Sequence, residues 1–329
     1  MRIAVDAMGG DQAPRSVVEG AVLAAQEYPQ AEIMLVGHEA QIKQESPATL
    51  PGNIRIVHAE DKISSDDEPV RAVRRKKQSS MVVAGQLVKN GEADAMISAG
   101  NTGALMATGL LVIGRLPGIE RPALAPMLPT MDGKGVLALD LGANMDATAE
   151  QLLQYAVMGS IYRSKVNGMD KPRVGLLNVG TEEAKGNEVV KQAYALMQEA
   201  PIHFVGNVES RDIFQRNCDI LVCDGFVGNI LLKTMEGTAG TIFGVLKEEF
   251  TRSFMSKLAA AVLKPGLVRF KKKLDYTEHG AAPLLGVNGL VLKSHGSSDA
   301  NAIKNGIRQG LHVLEQNVVG SIQEEISRK

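Results

Sequence analysis

Short apolar runs ending in glycine, asparagine, aspartate or serine recur along the whole chain, and each leads into a longer stretch with helical spacing. Ala95-Met96-Ile97 runs into Ser98-Ala99-Gly100-Asn101-Thr102-Gly103-Ala104, and no proline follows as far as Ile113. That pattern predicts a buried strand, a tight turn and a helix capped by Asn101 or Thr102. Five further places repeat it: 5–11, 139–144, 177–187, 222–229 and 292–299. The same periodicity predicts strands at 2–8, 32–37, 54–58, 135–141, 174–179, 202–205, 219–223 and 288–292. Helices are predicted at 16–28, 80–89, 104–113, 188–198, from 228 onward and at 300–314. Strands alternating with helices predict an α/β fold, a three-layer α/β/α arrangement around a mostly parallel sheet. Turns at the carboxyl ends of such strands converge on one crevice, so these six predict one polar site rich in main-chain N–H groups. Free N–H groups at a helix start suit an anion such as phosphate; a plain turn without ligand is the alternative for any one of them.

Three stretches complicate this pattern. Pro117, Pro122, Pro126 and Pro129 space out a segment near 115–130 that crosses the molecule. It leaves open one α/β/α unit over 1–329 or two subdomains meeting there. Asp94-Ala-Met-Ile-Ser98-Ala-Gly100 echoes Asp219-Ile-Leu-Val-Cys223-Asp-Gly225; the match is short and favours two strands obeying the same rules over two related halves. Residues 251–274 lack any acidic residue, while Arg252, Lys257, Lys264, Arg269, Lys271, Lys272 and Lys273 are basic. Phe254, Leu258 and Val262 recur at helical spacing there, and Lys264-Pro265-Gly266 is expected to break the run into a protruding basic amphipathic hairpin over 247–275. Such an element suits an anionic membrane surface, with a partner protein or a dimer contact as alternatives.

Composition narrows the class. In 329 residues, 44% are hydrophobic but only 4% are aromatic and none is tryptophan, so the core is aliphatic. The net charge of −1 gives no global case for nucleic acid. Two cysteines, Cys218 and Cys223, offer no disulfide framework and suit a reducing cytoplasm. A charged residue follows Met1 at once, which reads as a strand rather than a signal peptide, and no apolar run approaches the roughly 18 residues of a membrane span. The phosphate-binding P-loop, the dinucleotide-binding G-x-G-x-x-G, the G-x-S-x-G elbow and the H-E-x-x-H pair are all missing, and no His and carboxylate set has metal spacing. No cofactor and no metal is expected.

Several segments together carry a family resemblance. Val5-Asp6-Ala7-Met8-Gly9-Gly10-Asp11, Arg74-Arg75-Lys76-Lys77-Gln78-Ser79-Ser80-Met81, Ser98–Ala104, Asp224-Gly225-Phe226-Val227-Gly228-Asn229 and Gly280-Ala281-Ala282-Pro283-Leu284-Leu285-Gly286 resemble the bacterial acyl-carrier-protein:phosphate acyltransferases of phospholipid synthesis. Ala281 departs from a glycine of many members, which bears on loop conformation. The resemblance implies transfer of a fatty acyl group from acyl carrier protein to inorganic phosphate. It also implies a homodimer whose fold is similar to phosphotransacylases and to isocitrate/isopropylmalate dehydrogenases, with the product used at the membrane. Carrier proteins are acidic, which gives Arg71, Arg74, Arg75, Lys76 and Lys77 a docking role, a solvated face being the alternative.

With phosphate as the nucleophile no covalent enzyme intermediate is needed. The protein must hold the anion, stabilise the oxyanion and ease departure of the thiolate. Phosphate or substrate contact is expected from Asp6, Gly9, Gly10 and Asp11, from Ser98, Gly100, Asn101, Thr102 and Gly103, from Asn144, Asp224 and Gly225, and from Gly296 and Ser297. Asn101, Asn144 and Asn229 are candidate oxyanion donors, Lys185 a candidate positive charge, and His279 and His295 candidate acids for the thiolate. Each His serves equally well as a structural hydrogen-bonder. Competing readings are a phosphotransacylase acting on coenzyme A thioesters, a dehydrogenase on the same fold, and a non-catalytic membrane scaffold.

Overall fold

A computed structural model describes residues 1–274 and 280–327, with 268–274 described by backbone only. Its strands are β1 (Arg2–Asp6), β2 (Glu32–Gly37), β3 (Ile54–His58), β4 (Ala95–Ser98), β5 (Ala123–Leu124) and β6 (Met127–Leu128). They continue with β7 (Val136–Leu139), β8 (Arg173–Asn178), β9 (His203–Glu209), β10 (Ile220–Val222), β11 (Ala282–Leu285) and β12 (Leu290–Lys293). The helices are α1 (Arg15–Glu27), α2 (Glu39–Glu45), α3 (Pro69–Arg75), α4 (Ser80–Lys89), α5 (Thr102–Thr108), α6 (Ala149–Asn167), α7 (Glu188–Glu199), α8 (Gly225–Thr251), α9 (Phe254–Leu274), α10 (Ala300–Glu315) and α11 (Val318–Ser327).

The mostly parallel α/β arrangement is present, but the strands divide into two sheets. One has seven strands in the order β3-β2-β1-β4-β12-β11-β5; the other has five, β6-β7-β10-β8-β9. Pairings are parallel except those of β11 with its two neighbours and of β6 with β7. The inner strands of each sheet are buried on both faces, so alternate residues of one strand serve different cores. Ile3 and Val5 of β1, Leu137 and Leu139 of β7, and Ile220 and Val222 of β10 join one central core shared by the two sheets. Ala4 and Met96 face a second core under α4 and α5. Ala138 and Leu221 face a third, under α8. A strand buried on both sides reads as a continuous apolar run, which is why these strands were visible in the sequence.

The proline-spaced segment passes from one sheet to the other. β5 pairs with β11, and β6 pairs with β7. Neither two-residue strand carries a periodic signal, nor do α2, β11 or α11 stand out, because their apolar residues are few and their pairing is set by tertiary contact.

The hairpin does not turn where expected. α9 runs through Pro265 without a break. The reversal sits at Arg252 and Ser253, where the Ser253 hydroxyl accepts the Ser256 N–H at 3.0 Å and caps the second helix. A serine cap starts a new helix at this point, whereas Pro265 is accommodated within the helix that follows. The first arm is the whole of α8, so the hairpin begins well before residue 247. The side chains of Arg269, Lys271, Lys272 and Lys273 lie outside the described residues. Among the described residues no helix is long and apolar enough to cross a membrane.

Candidate active site

Five of the six predicted turns line one cavity of about 880 Å³ between the carboxyl ends of the two sheets. Gly10 and Asp11 come from the turn after β1, Gly100 to Gly103 from that after β4, and Lys293 to Gly296 from that after β12. Leu141 and Gly142 follow β7, and Asn229 sits on the first turns of α8. Close approach of backbones needs glycine at Gly9, where a Cβ would lie 2.6 Å from the Asp6 carboxylate and 2.7 Å from the Gly100 nitrogen.

On the seven-stranded side, the turns are tied together beneath the cavity. The Gly100 N–H donates to the Ser98 hydroxyl at 3.0 Å, which donates to buried Asp6 Oδ2 at 2.6 Å; the Met8 N–H reaches Oδ1 at 3.2 Å. Burial pushes the Asp6 carboxyl up, and hydrogen bonds from Ser80 and Ser98 oppose this. Lys293 ends β12 beside this group, and its ammonium donates to the Ser294 carbonyl. Burial pulls Lys293 down to about 8, while Asp6 and Asp11 act in the opposite sense. His295 is held by its own turn: the Ser297 N–H donates to Nδ1 at 3.2 Å and the Ser297 hydroxyl lies 2.7 Å from it. With Nδ1 accepting, the neutral ring carries its proton on Nε2. Burial, then the Lys293 charge, lowers the His295 pKa and favours that neutral form.

On the five-stranded side, buried Asp140 organises the turn. It accepts the N–H groups of Ala143 (3.1 Å) and Asn144 (2.6 Å), the Asn144 amide (3.0 Å) and, from the crossover segment, Leu124 N–H (3.3 Å). Burial raises the Asp140 carboxyl to about 6 against these bonds. α8 starts hard against this turn. A Cβ on Gly225 would meet Asn144, and one on Gly228 would run into the Asp140 carbonyl oxygen. The two glycines thereby seat Asn229 next to Gly142 at the cavity wall.

The geometry separates the three asparagines. Asn101 caps α5 through Ala104 N–H at 3.0 Å, and its amide is spent on the carbonyls of Ser64, Ser65 and Asp67. Asn144 donates to Pro122 and Asp140. Asn229, half-buried, has no side-chain hydrogen-bond partner among the described residues. Gly10, Asp11, Gly100, Thr102, Gly103, His295 and Gly296 border the cavity as expected. Asp6, Gly9 and Ser98 lie beneath it, and Ser297 braces His295. Asp224 and Gly225 build the start of α8, the former capping Val227 N–H at 2.8 Å. Lys185 is exposed on the β8 turn, away from the cavity lining, where its carbonyl accepts from the Asn178 amide. His279 lies outside the described residues.

Sequence reasoning passed over Lys293 and Asp140. Lys293 had a signal: a charged residue closing the apolar strand Leu290-Val291-Leu292 just before a polar turn. Asp140 stood out less, because its carboxylate joins its own turn at Ala143 and Asn144 to the crossover segment at Leu124. Around the mouth stand Lys62, Asp66, and Lys233 paired with Glu236 at 2.7 Å. α3 follows the 62–66 loop and presents Arg71, Arg74 and Arg75 exposed, with Lys77 exposed just past its end. Lys76 is not among the exposed group; it is bound to Asp67 at 2.8 Å and to the Lys62 carbonyl at 3.0 Å. On α9, Phe254, Leu258 and Val262 are exposed.

A profile of the family described as fatty acid synthesis protein matches residues 1–321. A phosphate acyltransferase of Brevibacillus brevis is 58% identical over 328 residues, covering 100% of this chain and 98% of that protein. One of Bacillus cereus is 56% identical over 329 residues, covering 100% and 99%. Among solved structures, a phosphotransacetylase from Streptococcus pyogenes superposes with a TM-score of 0.60 at 17% identity, over 97% of this chain and 94% of that one. A putative 4-hydroxythreonine-4-phosphate dehydrogenase from Salmonella typhimurium gives 0.53 at 13% identity, over 95% and 98%. At these identities the two structures speak for the fold alone, and they bear out its expected likeness to phosphotransacylases and dehydrogenases.

Proposed function

The chain belongs to the fatty acid synthesis protein family, and on that premise we propose that it transfers a fatty acyl group from the thioester of acyl carrier protein to inorganic phosphate, for phospholipid synthesis. The observation that carries the reading is one cavity holding a half-buried ammonium, Lys293, and an amide without a partner among the described residues, Asn229, on opposite sheets. A phosphate oxygen attacks the thioester carbonyl carbon, the C–O bond forms, and the C–S bond breaks. Hydrogen phosphate loses its proton and the departing sulfur gains one, so acyl phosphate and free carrier thiol result. Lys293 and the amides of the Gly100–Gly103 turn hold the anion, and the Asn229 amide donates to the developing oxyanion. Neutral His295 donates from Nε2, which assigns it hydrogen bonding rather than acid catalysis.

Lys185, exposed at the same sheet edge, is assigned to the donor's approach. So are Arg71, Arg74, Arg75 and Lys77, whose positive charge suits an acidic carrier. The exposed apolar positions of α9 are read as peripheral contact with an anionic membrane on its cytoplasmic face, and those of α8, such as Ile242 and Val245, as contact with a second copy. Vesicle pelleting of Leu258→Glu checks the membrane contact: recovery equal to the unaltered protein would remove it.

The activity is tested by supplying palmitoyl carrier protein with and without phosphate, and measuring free thiol and hydroxylamine-trapped acyl phosphate. Equal, phosphate-dependent amounts of both are expected. Thiol release indifferent to phosphate would refute the transfer. A parallel series with palmitoyl-coenzyme A distinguishes the carrier from a coenzyme A donor.

A further inference from the structure

The cavity does not stop at the polar turns. It extends between the two sheets, where Ala125, Pro126 and Met127 of the crossover segment face Leu137 of β7 and Tyr162 of α6. Ala125, Leu137 and Tyr162 belong to the central core and are at most 2% exposed, so they form a packed floor, while Met127, Ala282 and Gln309 beside them are half-buried and border the open space. Cores pack to crystal-like density, and an apolar void forfeits dispersion contacts. This one is held open by its frame. The Ala125 N–H is fixed to the Pro283 carbonyl at 2.9 Å, and the Pro126 carbonyl receives the Ala138 N–H at 3.0 Å, so the crossover is pinned to both sheets and does not collapse inward.

The far end is polar. The Gln309 amide donates to the Tyr162 hydroxyl at 3.1 Å, and Gln309 Oε1 is buried without a hydrogen-bond partner among the described residues. An alkyl chain entering from the Lys293 side gains by burying methylenes until its end meets this pair, where further advance would desolvate polar atoms. The whole volume lies within the roughly 300–1,000 Å³ range of enclosed ligand sites. One wall residue is adaptable: Met127 is half-buried and unbranched, with its sulfur 3.4 Å from an Arg163 guanidinium nitrogen.

We propose that this inter-sheet arm houses the acyl chain of the donor and that Met127 sets how long a chain it accepts. The proposal rests on the acyl transfer put forward above. It is tested by measuring kcat/KM for carrier-protein thioesters from butyryl to stearoyl with the unaltered chain, Met127→Ala and Met127→Phe. Shortening the side chain is expected to move the preference to longer chains and the aromatic ring to shorter ones. The long-to-short ratio should change by about fourfold per methylene gained or lost. Opposite shifts from one position are not what a general packing defect produces. Phosphate-dependent turnover in all three proteins with an unmoved ratio, or a shift in the same direction in both variants, overturns the arm while leaving the activity intact. No phosphate-dependent turnover by the unaltered chain at any length overturns the activity, and the arm with it.

Discussion

Asp94, just ahead of β4, accepts the backbone N–H and guanidinium of Arg2 at 2.7 and 2.8 Å; Asp219, just ahead of β10, accepts the same two groups of Arg173 at 2.9 and 3.0 Å. In both cases the aspartate N–H returns to the arginine carbonyl at 2.8 Å. The neighbouring strands correspond too, β2-β1-β4-β12 in one sheet and β9-β8-β10-β7 in the other. At their carboxyl ends the likeness stops. Ser98 closes β4 and bonds Asp6, whereas Cys223, just after β10, donates its thiol to the Asp140 carbonyl at 3.3 Å. The seven-stranded edge keeps a half-buried cation and main-chain amides for the cavity. The five-stranded edge spends its buried carboxylate, Asp140, on its own turn and leaves one neutral amide, Asn229. Similar strand entries tie β1 to β4 in one sheet and β8 to β10 in the other, and the exits are then free to differ: one for an anion, one for a carbonyl becoming an oxyanion.

The largest expected effect comes from erasing the charge on the anion side. Lys293→Met keeps the volume and removes a half-buried ammonium, so the fold should hold its melting temperature while kcat/KM for phosphate falls by about a hundredfold or more. Unimpaired phosphate use would end the division of labour between the edges. Next, Asn229→Ala should lower kcat by about tenfold with little change in KM for phosphate. A change confined to phosphate KM would place both functions on one edge. The smallest effect, and the sharpest, is in pH. Since Lys293 titrates at about 8 rather than 10.5, KM for phosphate should climb as pH rises through about 8. Stability should move the other way. Between about 8 and 10.5 the unfolded chain binds a proton that the folded one does not, so this lysine makes unfolding free energy rise with pH over that window. Lys293→Met should flatten both trends, as read from phosphate KM and chemical unfolding across pH 7 to 10.

Much of the frame was legible because strands buried on both faces and capped helices announce themselves locally. Asn101, Asp224 and Asp299 cap the helices that follow the turns, each by bonding an N–H three residues on. The echo between 94–100 and 219–225 was visible as well, and the shared arginine clasp gives its physical content. What each polar residue does was not legible. Asn101, Asn144 and Asn229 look alike in the sequence, and only their partners separate two tethers from one donor with no partner among the described residues. Pro265 looked like a helix break, yet the break lies at Ser253, because a side-chain cap decided it rather than a missing N–H.

Local order thus belonged to the sequence alone: apolar periodicity, glycines where backbones meet, and cap residues specify strand, turn and helix through contacts only a few positions apart. Which turns share a cavity, where Lys293 loses water, and how Asp140 gathers donors from separate segments depended on the tertiary structure. Burial and unpaired hydrogen-bonding groups are properties of surroundings assembled from distant parts of the chain, and no short window contains them.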